Sequence, residues 1–338
     1  MIAVVLKLIV RRLLAAVPIL LVVSALLFCV LRLLPVDPAA MSLPPNATIV
    51  EIEAKRRDMG LDRPLPQQYL IWLRGALHGD FGRSIALRRE AGSLVAATLP
   101  ATIQLAVAAM VIAAALGVGG GLLLFHLRDT LFETIADLAS IALLSIPEFL
   151  WGLILLFVFG VVLDLLPFTG AVAPGLPQPQ ITGFLLLDSL LAGRFDVFVS
   201  ACRHLILPAA ALGLAFSPAI MRVLRSSLFD VYHEDYIAQA RLRGLSESRI
   251  LLRHALKNAA LPTLTLAGVQ FGILFSGTLL VEVIYSYPGM GNLMVDAVRN
   301  VDLPLIQAIG LTYCVVVLLI NTAVDSLYVV LNPKLRVR

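Results

Sequence analysis

Three acids stand inside long apolar runs: Glu148, Glu282 and Asp325. An ionised side chain at the centre of a bilayer costs roughly 3 kcal/mol or more, so each is a candidate contact on a pathway for a charged or polar solute. Glu148 follows Pro147 directly and is the foremost of the three. Glu282 stands near the end of its run, where capping or pairing at an interface competes. Asp325 stands near basic residues at the chain end, where an ion pair competes. The histidines at 78, 126, 204, 233 and 254 include no pair at i, i+4, so no metal centre is expected. Cys29, Cys202 and Cys314 form no CxxC and imply no disulfide framework. No lysine follows a glycine, so the GxxxxGK[ST] loop that cradles ATP phosphates is absent.

The elements that must position these acids are set by composition. Of 338 residues, 59% are hydrophobic and 14% charged, where soluble domains carry about a quarter charged residues. The chain reads as an all-α polytopic membrane protein. Its net charge of +4 is small and its basic residues gather near segment ends, which speaks for orientation in a membrane and against nucleic-acid binding. Six stretches are long and apolar enough to span, at about 13–34, 101–125, 135–163, 204–224, 262–284 and 305–330. The first follows Arg11 and Arg12 without a clear small-residue cleavage site and is read as a retained anchor.

Lys7, Arg11, Arg12, Arg128, the arginines between 225 and 253, Lys257, Lys334, Arg336 and Arg338 all fall on one side if both termini are cytoplasmic. Arg128 and Asp129 are read as topological. The opposite side receives 35–100, 166–203 and 285–304. Within the first of these, 50–59 reads as a short amphipathic helix and 65–77 as another, separated by Gly60 and two prolines. Pro18, Pro147 and Pro218 are expected to kink their spans. Pro288, Gly289 and Gly291 form a turn after the fifth span that either shapes an outer gate or is purely structural.

A polar island interrupts the apolar pattern at 234–262, EDYIAQARLRGLSESRILLRHALKNAALP. It cannot lie in hydrocarbon. Tyr236 to Arg243 is built of good helix formers and stops at Gly244, while Ser246 is placed to cap a second helix with Glu247 in its first turn. Tyr236, Ala240 and Gly244 recur at steps of four, giving a small-residue face flanked by Arg241 and Arg243. Two readings stand: a solvated loop whose charges fix topology, or a docking element for another protein. Length and helix-turn-helix form favour docking, since plain interhelical loops run about two to eight residues.

YIAQARLRGL followed by LLRHALKNAALP resembles the signature loop of permease subunits in bacterial ABC importers, in the version of the peptide/nickel family. Ala238, Gln239, Ala240 and Gly244 stand at the Glu-Ala-Ala and glycine positions of that loop; the initial glutamate is absent, as is usual in the peptide branch. Similar blocks run along nearly the whole chain: LLPVDPA at 33–39, MGLDRPLPQQYLIWL at 59–73, HGDFGRS at 78–84, LPATIQLA at 99–106, SIPEFLWG at 145–152, LRSSLFDV at 224–231, VEVIYSYPGMGNLMVDAV at 281–298 and VDSLYVVLNPKLR at 324–336. Val36 departs from the family, which commonly has glycine there. The pattern is most similar to the B-type permeases of dipeptide importers.

The resemblance implies a type I ABC importer permease with an extended periplasmic segment after helix 1. Its parts would be an anchor helix and periplasmic segment at 1–100, a core at 101–330 containing a coupling segment at 225–260, and a cytoplasmic tail at 331–338. It further implies a second homologous permease, two ATPase subunits that bind ATP and Mg, an external solute-binding protein, and a bacterial inner membrane. Tyr236, Ala238, Gln239, Ala240, Arg241, Arg243 and Gly244 would then meet an ATPase. Short peptides are the implied cargo, with nickel, a metal chelate or an opine as the alternative. A channel or ion-coupled carrier is a rival from another class, but it calls for more buried acids or paired interrupted helices.

Overall fold

The computed structural model describes residues 2–331 except Leu34, Pro45 and Asp129, so Lys334, Arg336 and Arg338 lie outside the described residues. Those residues are helical with no strand, apart from one isolated bridge between Arg83 and Glu90. The first helix, α1 (Ile2–Arg32), keeps Pro18 inside it. A short α2 (Pro38–Met41) starts at Asp37, whose side chain accepts from the Ala39 amide. Next, α3 (Ile49–Asp58) opens on a capping box between Thr48 and Glu51. It buries no side chain, and Ile49 and Val50 are exposed. The amphipathic face expected there is not used in this subunit. The next helix, α4 (Leu65–Leu77), has the expected bounds and is fastened to α1 by Tyr69, whose hydroxyl lies 2.9 Å from Ser24 Oγ.

The second span begins earlier than expected. α5 (Ala91–His126) contains Pro100, so the expected division of the chain at residue 100 falls inside a helix. The third span is broken rather than kinked: α6 (Leu131–Leu144) and α7 (Glu148–Leu155) meet at 101°. Pro147 cannot donate to the preceding turn and disfavours helix at Ile146, which stops α6 at Ser145. α7 ends in a π turn over Leu156–Val162.

After α8 (Leu185–Leu191) comes α9 (Phe195–Tyr232), which absorbs the expected outer stretch 195–203 and carries both Pro208 and Pro218. The polar island supplies α10 (Asp235–Leu242). Its expected second short helix is instead the start of the fifth span: α11 (Glu247–Arg249) passes through a π turn at Ile250–Ala255 directly into α12 (Leu256–Ile284). The chain closes with α13 (Met290–Arg299) and α14 (Leu303–Leu331).

Five described helices are long and apolar enough to cross a membrane, and the bent α6–α7 pair makes a sixth if counted as one span. α9 is the axis of the bundle, with 61% of its most apolar window buried against 17% for α1. Its closest partner is α5, where glycines let the backbones approach: a Cβ on Gly117 would meet Ile220 at 2.7 Å, and one on Gly213 would meet Ile112 at 2.5 Å. In lipid, small residues at such seams supply packing that the hydrophobic effect cannot. At one end, Arg12 of α1 pairs with Asp325 of α14 at 2.8 Å. At the other, Asp302 before α14 accepts from Ser84 Oγ at 2.5 Å and from the Ala86 amide, tying the segment before α5 to the base of α14.

Candidate coupling interface and translocation path

α10 sits on a platform made by the C-terminal ends of α5 and α9 and the start of the fifth span. Ile237 and Ala240 are buried against Phe125, Leu224, Leu228, Ile250, Ala255 and Ala259. A helix of eight residues has no stability of its own in water, so this apolar contact is what holds it. Polar contacts fix its rotation. The Tyr236 hydroxyl accepts from Asn258 Nδ2 at 2.7 Å, Arg241 Nε donates to Glu247 at 2.6 Å, and the Arg241 guanidinium lies 5.3 Å from the Tyr232 ring centroid. Arg128 stacks on Phe125 at 4.7 Å and closes the platform from the α5 side.

This geometry reverses one sequence expectation. Ala240 does not lie on the outer face but faces the subunit's own core. Tyr236 and Arg241 are likewise engaged within the chain. The free face carries Ala238, Gln239, Leu242 and Arg243, with Leu242 89% exposed. Sequence reasoning passed over Leu242. The signal was present, because Leu242 is about 200° around the helix from Ala240 at 100° per residue, opposite the Ile237–Ala240 seam. Gly244 ends the helix at φ +76°, and a Cβ there would meet nothing within 4 Å. Its conformation favours glycine; its immediate surroundings in this subunit do not demand it.

The three candidate pathway acids separate. Glu148 is the first residue of α7, half-buried at the break, and lies against Gly277 of α12; a Cβ on that glycine would be 3.3 Å from Glu148 Oε1. Glu282 is fully enclosed. Its Oε2 accepts from the Gly291 amide at 2.6 Å, while Asn292 Nδ2 donates to the Glu282 carbonyl at 3.1 Å and to that of Tyr287 at 2.6 Å. The structure thus makes Glu282 the support beneath the 288–291 turn rather than a group facing a pathway. A Cβ on Gly289 would collide with that carboxylate, and one on Gly291 would meet Leu279 Cα at 2.6 Å. The Met290 amide, donating to Thr102 Oγ1 at 2.8 Å, anchors the turn to α5. Asp325 is taken up by Arg12, so it too is a structural partner.

A further contact was not anticipated. Arg225 of α9 pairs with Glu133 and, at 3.0 Å, with Asp137, both on α6. It joins the first half of the broken span to the central helix near α10. Among the described residues, no group of three or more His, Cys, Asp or Glu side chains is arranged to hold a metal ion.

Comparison with known proteins places these features. Residues 117–337 match the family described as binding-protein-dependent transport system inner membrane component, and residues 5–106 match its N-terminal membrane component family. The di/tripeptide transport system permease protein DppB of Pseudomonas aeruginosa (strain UCBPP-PA14) is 37% identical over 332 residues, covering 98% of this chain and 99% of the relative. The dipeptide transport system permease protein DppB of Escherichia coli (strain K12) is 36% identical over 335 residues, covering 98% and 99%. The glutathione transport system permease protein GsiC of the same strain is 34% identical over 328 residues, covering 97% and 98%.

Proposed function

The chain belongs to this family of inner-membrane permease components of binding-protein-dependent ABC importers, and on that premise we propose that it forms half of the path by which short peptides enter the cell. The relatives' names carry the cargo reading: two are permeases for di- or tripeptides, and glutathione, the cargo of the third, is itself a tripeptide. The other half of the path comes from a second homologous permease. Energy comes from two separate ATPase subunits that hold ATP and Mg, and a solute-binding protein delivers the peptide. Both termini and α10 face the cytoplasm, a reading supported by Arg11, Arg12, Arg128, Arg225, Arg241, Arg243, Arg249 and Arg253 on that side.

The observation that carries the coupling reading is the free face of α10. An apolar side chain 89% exposed on a helix otherwise locked to three spans is an anchor without a socket in its own chain. It suits an apolar groove on an ATPase, with Gln239 and Arg243 at its rim. ATP-driven movement of that groove then acts on α5, α9 and α12 together, since α5 and α9 end in the platform and α12 starts from it. Coupling requires that the ATPase pair contact α10 differently in the inward-open and outward-open states.

Leu242→Asp tests the interface. Membrane insertion and permease pairing should be unchanged while copurification of the ATPase subunits is lost; normal copurification would remove α10 from the interface. The cargo is tested separately, by isolating the intact importer with its binding protein and identifying the retained ligand by mass spectrometry. A metal chelate in place of peptides would reverse the cargo assignment and leave the coupling reading intact.

A further inference from the structure

At the end of the bundle opposite α10, α4 lies along the last turns of α1. Tyr69 and Trp72 pack on Phe28 with ring centroids 5.6 and 5.9 Å apart. The Ser24–Tyr69 contact is eight residues before Arg32, where α1 ends, or about 12 Å along the axis at 1.5 Å per residue. α4 therefore straddles the level at which α1 leaves the apolar zone, the depth at which Tyr and Trp gather in membrane proteins. Leu70 and Ile71 of α4 and Leu26 and Val30 of α1 are all more than half exposed there.

Beside this strip opens a cleft of about 620 Å³ whose wall carries Arg32, Arg57, Arg63, Arg83 and Arg88. Its two carboxylates already have partners on the same wall: Asp58 pairs with Lys55 at 2.6 Å, and Asp80 accepts from the Gly82 amide at 2.9 Å. None of the five guanidinium groups has a carboxylate within 4 Å among the described residues. The Arg83–Arg88 reversal is held by Arg83 Nε donating to the Arg88 carbonyl at 2.7 Å, with Arg88 at φ +53°. That is the left-handed region, uncommon for any residue but glycine. The Trp72 Nε1 donor, also on the cleft wall, is shielded from solvent and has no acceptor among the described residues, and Gln68 Oε1 one turn before it has no donor. Five guanidinium groups gathered beside a shielded, unmatched donor favour an anion among them.

We propose that this cleft binds the phosphate of an anionic phospholipid, with the acyl chains lying along Leu26 and Val30 of α1. Arginine matches phosphate through paired N–H donors, and Trp72 supplies a further one. The apolar strip running into the cleft at interfacial depth selects a lipid over a soluble anion.

The test uses the intact importer purified in mild detergent, with phosphatidylglycerol as the probe and native mass spectrometry as the readout. The wild type should retain at least one phosphatidylglycerol per complex that the Arg57→Gln/Arg63→Gln/Arg88→Gln variant releases at tenfold lower detergent exposure. Phosphatidylcholine should not substitute. Arg57→Gln alone guards against misfolding, because α3 buries no side chain, and it should weaken retention in the same direction. Equal phosphatidylglycerol retention by wild type and variants would overturn the proposal. Displacement of the lipid by millimolar inorganic phosphate would make the cleft a soluble-anion site, and a loss of binding-protein affinity with unchanged lipid count would make it a protein dock; either result also overturns it.

Discussion

Replacing Gly244 separates what this subunit requires of the residue from what a partner requires. At φ +76°, alanine is strained by roughly 1–2 kcal/mol, whereas asparagine enters the left-handed region more readily. A Cβ at this position meets no atom of the chain within 4 Å, so no steric cost arises inside the subunit. Gly244→Asn should therefore leave the thermal midpoint of the permease pair close to that of the wild type. If the glycine also lets an ATPase approach the end of α10, the added side chain overpacks that contact by about 1–3 kcal/mol. At 1.4 kcal/mol per decade, the ATPase affinity falls by roughly five- to 150-fold. Binding of purified ATPase subunits to the permease pair in nanodiscs measures this directly. Gly244→Arg should abolish the interaction. If Gly244→Asn binds with wild-type affinity, the glycine serves backbone conformation alone and the close-approach argument is refuted.

Three further outcomes follow from the geometry. Glu148→Gln should reduce uptake of cationic dipeptides by roughly tenfold, the scale of one screened charge contact, and leave neutral ones unchanged; equal uptake of both by the variant retires Glu148 as a pathway residue. Gly291→Ala drives a methyl group against the Leu279 backbone and should destabilise the purified permease by about 1–3 kcal/mol in thermal unfolding. Burial pushes the Asp188 carboxyl up, yet the Thr182 hydroxyl and the amides of Thr182, Ile181 and Gly183 outweigh it and hold it below its ordinary value. The sign follows from that depression: the stabilisation is present above about pH 4, the unfolded carboxylate value, and is lost as pH falls through the lower folded value. Amide exchange at 181–183 should stay slow at pH 5 and 7 in the wild type and be fast at both in Asp188→Asn.

Which parts of this architecture were legible in the sequence depended on whether local signals and packing agreed. The start of α4 and the end of α10 at Gly244 were readable because proline fixes φ and glycine alone takes a positive φ at little cost, both without help from neighbours. Span ends were not. α5 and α9 run several residues beyond their apolar cores because Ala91 and Val197, both buried, continue their packing outside the hydropathy window. Pro147 was visible as a disturbance, but proline permits both a kink and a break, and only the packing of α7 against α9 and α12 selects the break. At the candidate interface, the i, i+4 stripe of Tyr236, Ala240 and Gly244 was real, yet periodicity identifies a face without saying which side it meets. Small residues suit a partner's groove and a tight internal platform equally, and the chain uses Ala240 for the second.

That internal use of Ala240 bears on how force can cross the subunit. A docking element hung on a flexible loop would absorb an ATPase displacement in its own linkers. Here Ile237 and Ala240 are buried in the same cluster as Phe125 of α5, Leu224 of α9 and Ala259 of α12, so undocking α10 exposes apolar surface on every one of them. Removing the three carbons that separate Ile237 from alanine costs about 2.4 kcal/mol from lost burial alone, at about 0.8 kcal/mol per carbon. The stiff connection continues from α9 through Arg225 to Glu133 and Asp137 on α6, and ends at the break before Glu148. The break is where the backbone hydrogen-bond ladder is interrupted, and a bent helix pair has fewer bonds to lose on reorientation than a continuous span. Rigid contacts from α10 to α6 and a discontinuity directly after them concentrate any imposed motion at Glu148, beside the glycine of α12 that leaves room for its side chain.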